Sequence, residues 1–258
     1  MAVATALLAS AIALSSPSRA ADWVELPAQA GQPAVFVSIT KAAAPGKAPI
    51  ALMLHGGEGL SRDFMAAFET WAQWLRQRGV ASVIIDGFRG RDLRGGDDVT
   101  GSKYMPIVRG RGIDAERTLA WLATSDWADP ERAFLFGQSM GGSVGITVAI
   151  ERKLAIPQIL FYPFCTLQIM APMRPGPGYP PSLWLIGASD QIALPSDSRK
   201  CFEKISAAGN PDAIKWVALA NTPHMFDRRP NGPGYSSSAV ETSKTEIEAF
   251  LKAQGLAR

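Results

Sequence analysis

Apolar runs and amphipathic stretches alternate along most of the chain. Apolar side chains recur every three to four residues from Phe64 to Leu75, and this spacing predicts a helix over residues 61–78 that stops at Gly79. The nearly continuous apolar run of residues 80–85 is typical of a strand buried on both faces of a sheet. The same patterns predict strands at 34–39, 50–54, 133–136, 156–161, 183–186 and 214–218, and helices at 113–124, 141–152, 196–207 and 239–253. Because strands alternate with helices, the expected fold class is α/β, with a mostly parallel central sheet and helices on both faces.

Two segments interrupt this alternation. Residues 87–112 form a long connection rich in Gly and Arg, and residues 171–181 are rich in Pro. Proline lacks an N–H donor and clashes with the preceding turn, so the second segment is not expected to form a helix. Connections of this length in compact domains are often lids or binding loops. Residues 171–181 are therefore a candidate lid.

The composition is that of a globular chain with a modest charge. Of the 258 residues, 47% are hydrophobic and 19% are charged, and the formal net charge is +3. This balance supports a sizeable core, and a single domain over residues 21–258 is the simplest organisation. Lys and Arg form no long run of the kind that tracks a phosphate backbone, so nucleic acid is not an expected partner. The sequence does not indicate an oligomeric state.

The first twenty residues differ from the rest of the chain. Residues 1–14 are almost wholly small and apolar, and small residues then lead to Ala20, which predicts a signal peptide over residues 1–20. No Lys or Arg precedes the apolar run, so a short core or anchor helix is the alternative. Export predicts a periplasmic or secreted protein, and no later apolar stretch is long enough to span a bilayer.

The chain contains two cysteines, Cys165 and Cys201. Disulfides persist in oxidising compartments, so export favours a bond between them. Two buried free thiols are the alternative.

The sharpest motif is Gly137-Gln138-Ser139-Met140-Gly141, between a predicted strand and a predicted helix. A G-x-S-x-G sequence at such a junction is a nucleophile elbow, whose tight turn requires glycines and lifts the serine hydroxyl above the edge of the sheet. Ser139 is therefore the candidate nucleophile. A chance serine in a Gly-rich turn is the alternative.

A serine hydroxyl needs a base, and the chain offers only His55 and His224. His55 precedes Gly56-Gly57 directly after a predicted strand, which is typical of an oxyanion-hole loop. His224 follows the last predicted strand and is therefore the candidate base; a surface-loop imidazole is the alternative. Once His55 is assigned to the loop, too few His and Cys remain for a zinc cluster, and no dinucleotide fingerprint is present. No metal and no other cofactor is expected.

Asp190 is the candidate acid that orients His224, because it directly follows the predicted strand 183–186. Asp197 is the main competitor, but it lies at the expected start of a helix, where capping explains a carboxylate. Asp227 lies in the same predicted loop as His224, so it does not follow a predicted strand of its own, as the orienting acid is expected to do. A turn or cap role is the alternative for Asp190 itself.

The groups around the candidate nucleophile are harder to assign. The predicted oxyanion hole consists of the N–H groups of Met140 and Gly57, with that of Glu58 as the alternative second donor. Glu58 in this loop, and Phe88 and Phe226 near predicted strand ends, are predicted to bind substrate. The arginines that surround the long connection are either a means of attracting an anionic substrate or charges of a solvated loop: Arg89, Arg91, Arg94, Arg109 and Arg111.

These motifs together resemble the α/β-hydrolase superfamily, and their spacing is similar to that of its dienelactone hydrolase branch. The resemblance covers roughly residues 49–251 and includes the chain order Ser, Asp, His. The branch often has a Cys nucleophile where this chain has Ser139, so the resemblance implies a serine esterase or related acyl hydrolase that acts on a small-molecule substrate through an acyl-enzyme. Another reaction on the same triad, such as peptide cleavage or transacylation, and a non-catalytic binding protein are the alternatives. The residues that carry the resemblance are His55-Gly56-Gly57, Gly137 to Gly142, Gly187-Ala188-Ser189-Asp190 and Pro223-His224.

Overall fold

The computed structural model describes residues 23–29, 31–209, 211–230 and 232–257. The predicted signal peptide, residues 1–20, lies outside the described residues. None of the helices in the described residues has both the length and the apolar character that a membrane span requires.

A single sheet of eight strands organises the described part of the chain, in the order β1-β2-β4-β3-β5-β6-β7-β8. The contacts of β1 with β2 and of β2 with β4 are antiparallel, and all the others are parallel. The predicted fold class is thus confirmed, since the six parallel strands all end at the same edge. The strands are β1 (Trp23–Leu26), β2 (Val35–Thr40), β3 (Ala48–Leu54), β4 (Ala81–Asp86), β5 (Ala128–Gln138), β6 (Gln158–Phe161), β7 (Ser182–Gly187) and β8 (Ile214–Leu219).

Helices cover both faces of this sheet, as the continuous apolar character of the strands requires. Alternate residues of a strand point to opposite faces, so Met53 packs in the layer of α1 and α6, whereas Leu52 and Leu54 pack in the layer of α2 and α3. Helix α5 completes the second layer beside β6 and β7. The helices are α1 (Arg62–Arg76), α2 (Tyr104–Leu122), α3 (Met140–Glu151), α4 (Leu167–Met170), α5 (Pro195–Ala208) and α6 (Ser237–Ala253).

The start of α2 corrects the sequence analysis. The helix was predicted over residues 113–124, but it begins at Tyr104 and includes residues 104–112 of the presumed connection 87–112. Proline is tolerated in a first helical turn, and Gly112 lies where α2 packs closely on α3, since a Cβ there would lie 2.7 Å from Val148. Tertiary packing therefore outweighs the weak helix propensity of Gly and Pro. The remaining residues form short 3₁₀ turns at Arg89–Arg91, Gly96–Val99 and Gly101–Lys103.

The sequence analysis also missed β1 and the single-turn helix α4, both of them too short to show a period. The Pro-rich residues 171–181 form no helix, as predicted. The structure joins Cys165, just after β6, to Cys201 in α5 by a disulfide, with the two Cα atoms 6.3 Å apart.

Candidate active site

Ser139 lies at the sharp turn between β5 and α3. Its φ of 50° is in the left-handed region, which is unusual for a residue with a side chain. The flanking glycines permit this turn, because a Cβ at Gly141 would lie 1.9 Å from the carbonyl oxygen of Leu54, and one at Gly137 would lie 2.5 Å from that of Gly141. The geometry is that of a nucleophile elbow at the carboxyl edge of the sheet.

His224 lies between Ser139 and Asp190. Its Nε2 is 3.0 Å from Ser139 Oγ, and its Nδ1 is 2.6 Å from Asp190 Oδ2. A neutral imidazole that donates from Nδ1 to the carboxylate leaves Nε2 free to accept the serine proton. The structure therefore brings together the three side chains that the sequence analysis singled out, in the order that base-assisted attack requires.

The carboxylate of Asp190 is held on both of its oxygens. Oδ1 accepts hydrogen bonds from the N–H groups of Ile192 at 2.8 Å and Ala193 at 2.9 Å, which leaves Oδ2 for His224. The competitor Asp197 lies in the first turn of α5, where the helix dipole favours a carboxylate, and pairs with Lys200; the N-cap is Leu194, so Asp197 is not the capping residue that the sequence analysis expected.

Asp227 has a position that the sequence analysis did not foresee. It is buried beneath the site and accepts hydrogen bonds from Trp71 Nε1 at 2.7 Å, Gln138 Nε2 at 2.6 Å and the Tyr162 hydroxyl at 2.7 Å. Burial raises the pKa of this carboxyl, whereas the three donors oppose the rise by favouring the ionised form. Asp227 thus fastens the loop of His224 to the residue that precedes Ser139.

Tyr162 connects this buried carboxylate to the imidazole. Its φ is 36°, its ring centroid lies 4.6 Å from that of His224, and its hydroxyl donates to Asp227. Burial and the neighbouring Asp227 carboxylate raise the pKa of Tyr162, so the phenol stays protonated as a donor. Tyr162 also lines the cavity beside Ser139.

His55 supports the loop after β3, as the sequence analysis proposed. The ring is fully buried, Nδ1 lies 2.8 Å from Gly56 O, and Nε2 accepts the Gly87 N–H at 3.1 Å. Burial, with a smaller contribution from the charge of Arg111, lowers the pKa of His55 well below its usual value. The neutral ring with its proton on Nδ1 satisfies both contacts.

Arg111 contacts the backbone of the same loop. Its Nη2 donates to the carbonyl oxygen of His55 at 2.7 Å, and the guanidinium lies 5.2 Å from the ring centroid of Phe88. Burial lowers the pKa of Arg111 to about 10, so the side chain keeps its charge at neutral pH. Nε and Nη1 have no hydrogen-bond partner among the described residues.

The other arginines of the connection do not line the cavity. Arg91 pairs with the buried Asp114, and Arg109 pairs with Glu151 across α2 and α3. These contacts favour the interpretation of the arginines as structural or solvated charges over their interpretation as a cluster that attracts an anionic substrate. Asp86 ties down the loop after β4, because its Oδ1 accepts the N–H groups of Phe88 and Arg89.

The predicted oxyanion donors lie beside Ser139. Gly57 and Met140 both line the cavity at the nucleophile, and a Cβ at Gly56 would lie 3.2 Å from the Cβ of Ser139. No hydrogen bond within the described part of the chain uses the N–H of Gly57 or Met140. Met140 is the first residue of α3, where N–H groups lack acceptors within the helix and the helix dipole favours negative charge.

A cavity of about 600 Å³ opens over Ser139 and His224. Glu58 lines it, but the predicted binding residues Phe88 and Phe226 do not: Phe88 packs on His55, and Phe226 packs on Phe161 and Tyr162 in the core. Both phenylalanines are buried, because their rings turn inward. The walls that the sequence analysis missed are formed largely by residues 96–105 and 164–169. The candidate lid, residues 171–181, contributes no lining residue.

Solved structures of an esterase and of a dienelactone hydrolase share this architecture. An esterase from the Planctomycetes species Thermogutta terrifontis superimposes with a TM-score of 0.66 at 17% identity, over 86% of this chain and 89% of its own. The same esterase phosphorylated by paraoxon gives 0.69 at 18% identity, over 92% and 95%. A Klebsiella pneumoniae protein described as a dienelactone hydrolase gives 0.68 at 16% identity, over 90% and 98%. No protein-family model and no curated protein matches the sequence.

The chain therefore has an α/β-hydrolase fold similar to that of dienelactone hydrolases, as the motifs predicted. At such low identity the likeness is one of fold. Because one fold carries many chemistries, the activity has to be argued from the site itself.

Proposed function

We propose that this chain is a serine hydrolase that cleaves carboxylic esters through an acyl-enzyme on Ser139. The observation that carries the proposal is the hydrogen-bonded series from Ser139 Oγ to His224 Nε2, at 3.0 Å, and from His224 Nδ1 to Asp190 Oδ2, at 2.6 Å. A weak alcohol becomes a useful nucleophile when an oriented base accepts its proton as it attacks.

In the first step of the reaction, Ser139 Oγ bonds to the ester carbonyl carbon while His224 Nε2 takes the hydroxyl proton. The carbonyl oxygen becomes an oxyanion, which the N–H groups of Met140 and Gly57 stabilise. His224 then gives the proton to the leaving alkoxide, so that an alcohol departs and the acyl group stays on Ser139. In the second step, His224 activates water and the acid is released.

Two further observations support an ester as the substrate. The T. terrifontis esterase was solved with propionate and with butyrate bound, which are products that short-chain esters give. The cavity of about 600 Å³ is within the size range of small-molecule sites and is too small for a folded partner. We also propose that the protein is exported to the periplasm or secreted, and the disulfide between Cys165 and Cys201 supports an oxidising location.

Replacement of the nucleophile tests the proposal. We expect Ser139→Ala to lower kcat/KM for 4-nitrophenyl butyrate by at least about a thousandfold, because Ser139 Oγ is the hydroxyl that contacts His224 Nε2 in the described residues. Ser189→Ala, an exposed serine next to Asp190, is the matched control and should keep its rate. Incubation with paraoxon followed by peptide mass analysis should place the phosphoryl adduct on Ser139. Full activity of Ser139→Ala, or an adduct elsewhere in the chain, would refute the assignment.

A further inference from the structure

The cavity beside Ser139 has mainly apolar walls. The rings of Tyr104 and Phe164 pack against each other, with their centroids 5.4 Å apart, and line the cavity together with Met105 and Ile169. Ile192, a large apolar side chain that is 54% exposed, extends this surface to the rim. A charged group that leaves water for such a cavity loses hydration without gaining a partner.

Two carboxylates lie at this cavity on neighbouring loops. The Gly96 N–H donates to Gly57 O at 3.0 Å and so holds the loop of Asp97 against the loop of Glu58. Gly95 permits the close approach, because its φ is +91° and a Cβ there would lie 2.6 Å from Gly57 O. Both Glu58 and Asp97 line the cavity, and within the described part of the chain neither side chain has a hydrogen-bond or ion-pair partner.

Positive charge is missing from the cavity wall: no described residue that lines it is Lys or Arg. Arg111, the buried guanidinium, lies behind the loop of His55 and contacts the backbone there. Arg228 lies 4.1 Å from the ring centroid of Phe64, which lines the cavity, but Arg228 itself does not. A substrate carboxylate would therefore meet two negative side chains and no cationic partner on the wall.

We propose that Glu58 and Asp97, together with the apolar walls, make this site selective for uncharged acyl groups and against acyl groups that carry a second carboxylate. The proposal rests on the proposed ester hydrolysis at Ser139 and names the substrate class of that site. Repulsion between like charges at a solvent-facing rim adds to the desolvation of the substrate carboxylate, and salt screens the repulsion but not the desolvation. The arginine-rich connection, by contrast, does not supply an anion-binding surface to the site.

A pair of esters that differ only in charge tests the proposal. 4-Nitrophenyl hydrogen adipate and 4-nitrophenyl 6-methylheptanoate share a leaving group, and their acyl chains have nearly the same shape. We expect kcat/KM for the adipate to be at least about thirtyfold lower at low salt. The double variant Glu58→Gln/Asp97→Asn should raise the ratio of the adipate rate to the neutral-ester rate about fivefold. Added 0.5 M NaCl should raise the adipate rate of the unmodified enzyme and have little effect on the double variant.

The control is an equal loss of charge away from the site. Glu25 and Glu131 are exposed, and Glu131 lies near the amino-terminal end of β5, whereas Ser139 follows the carboxyl-terminal end. Glu25→Gln/Glu131→Gln should leave the ratio of the two rates unchanged. Equal rates for the two esters, or an adipate rate that neither the double variant nor salt alters, would overturn the proposal while ester hydrolysis stands. Failure to cleave the neutral ester would instead refute the proposed function.

Discussion

The loops after β3 and β8 each carry one of the two histidines, at the same edge of the sheet, but they use the imidazole in opposite ways. The ring of His55 is enclosed, and both of its nitrogens contact backbone groups. The ring of His224 reaches the cavity, and both of its nitrogens contact side chains. Position at a strand end therefore does not determine the role of a histidine. The partners of its two nitrogens do, because they decide whether a lone pair is available to substrate chemistry.

The charged residue that anchors each loop also differs. Asp227 belongs to the loop of His224 and is satisfied by three donors from three other parts of the chain. Arg111 comes from α2, contacts the loop of His55 through one carbonyl, and leaves two nitrogens without a partner among the described residues. The loop of His224 is thus fixed by a complete buried network of hydrogen bonds, and the loop of His55 mainly by its own backbone contacts.

The largest effect that separates the two loops is expected for His224→Ala. Loss of the base should lower kcat for 4-nitrophenyl butyrate by about a thousandfold to ten-thousandfold, because in the described residues His224 Nε2 is the acceptor that Ser139 Oγ contacts. His55→Gln, whose amide oxygen can still accept the Gly87 N–H, should lose less than about tenfold by the same measurement, since His55 does not line the cavity. A similar loss in both variants would mean that the two histidines share the chemistry.

The next effect concerns the anchor of the His224 loop. Asp227→Leu should leave three buried donors without an acceptor and lower the free energy of unfolding by about 3 kcal/mol or more in urea titrations, since each unsatisfied buried group costs about 1–3 kcal/mol. Asp227→Asn retains one acceptor oxygen, and we expect it to lose about half as much stability.

The Asp227→Asn variant also tests whether Asp227 aligns the nucleophile and its base or only stabilises the fold. Gln138 precedes Ser139, and Tyr162 packs on the ring of His224, so a small shift of this network misaligns the nucleophile and its base. We expect kcat of Asp227→Asn to fall about tenfold with KM within twofold. An unchanged kcat in a folded Asn variant would show that Asp227 serves stability alone.

The contrast between the loops also explains how far the sequence could predict the site. Ser139, Asp190 and His224 each follow a predicted strand, and a strand end can be recognised from a local pattern. The contacts of Asp227 join it to Trp71, which is 156 positions away, and no local pattern reports such a contact. The inward rings of Phe88 and Phe226 depend on packing in the same way, and this is why they do not line the cavity as the sequence analysis expected.

The smallest effect concerns the enclosed histidine and appears in the pH dependence of stability. The folded pKa of His55 is lowered below 6.5, so the unfolded chain takes up the proton first as the pH falls. The contribution of the neutral ring is therefore complete above pH 6.5 and is lost below it, with a slope of up to about 1.4 kcal/mol per pH unit. Urea titrations at pH 7.5 and pH 5.5 should show that, on acidification, the free energy of unfolding of His55→Gln falls by about 1 kcal/mol less than that of the unmodified protein.

The buried carboxyls with raised pKa, Asp114 and Asp227, change stability in the opposite direction with pH, but they are present in both proteins and cancel in the difference. Equal losses in both proteins would show that His55 can take up a proton in place, and the distinction between the two histidine loops would then be one of exposure alone.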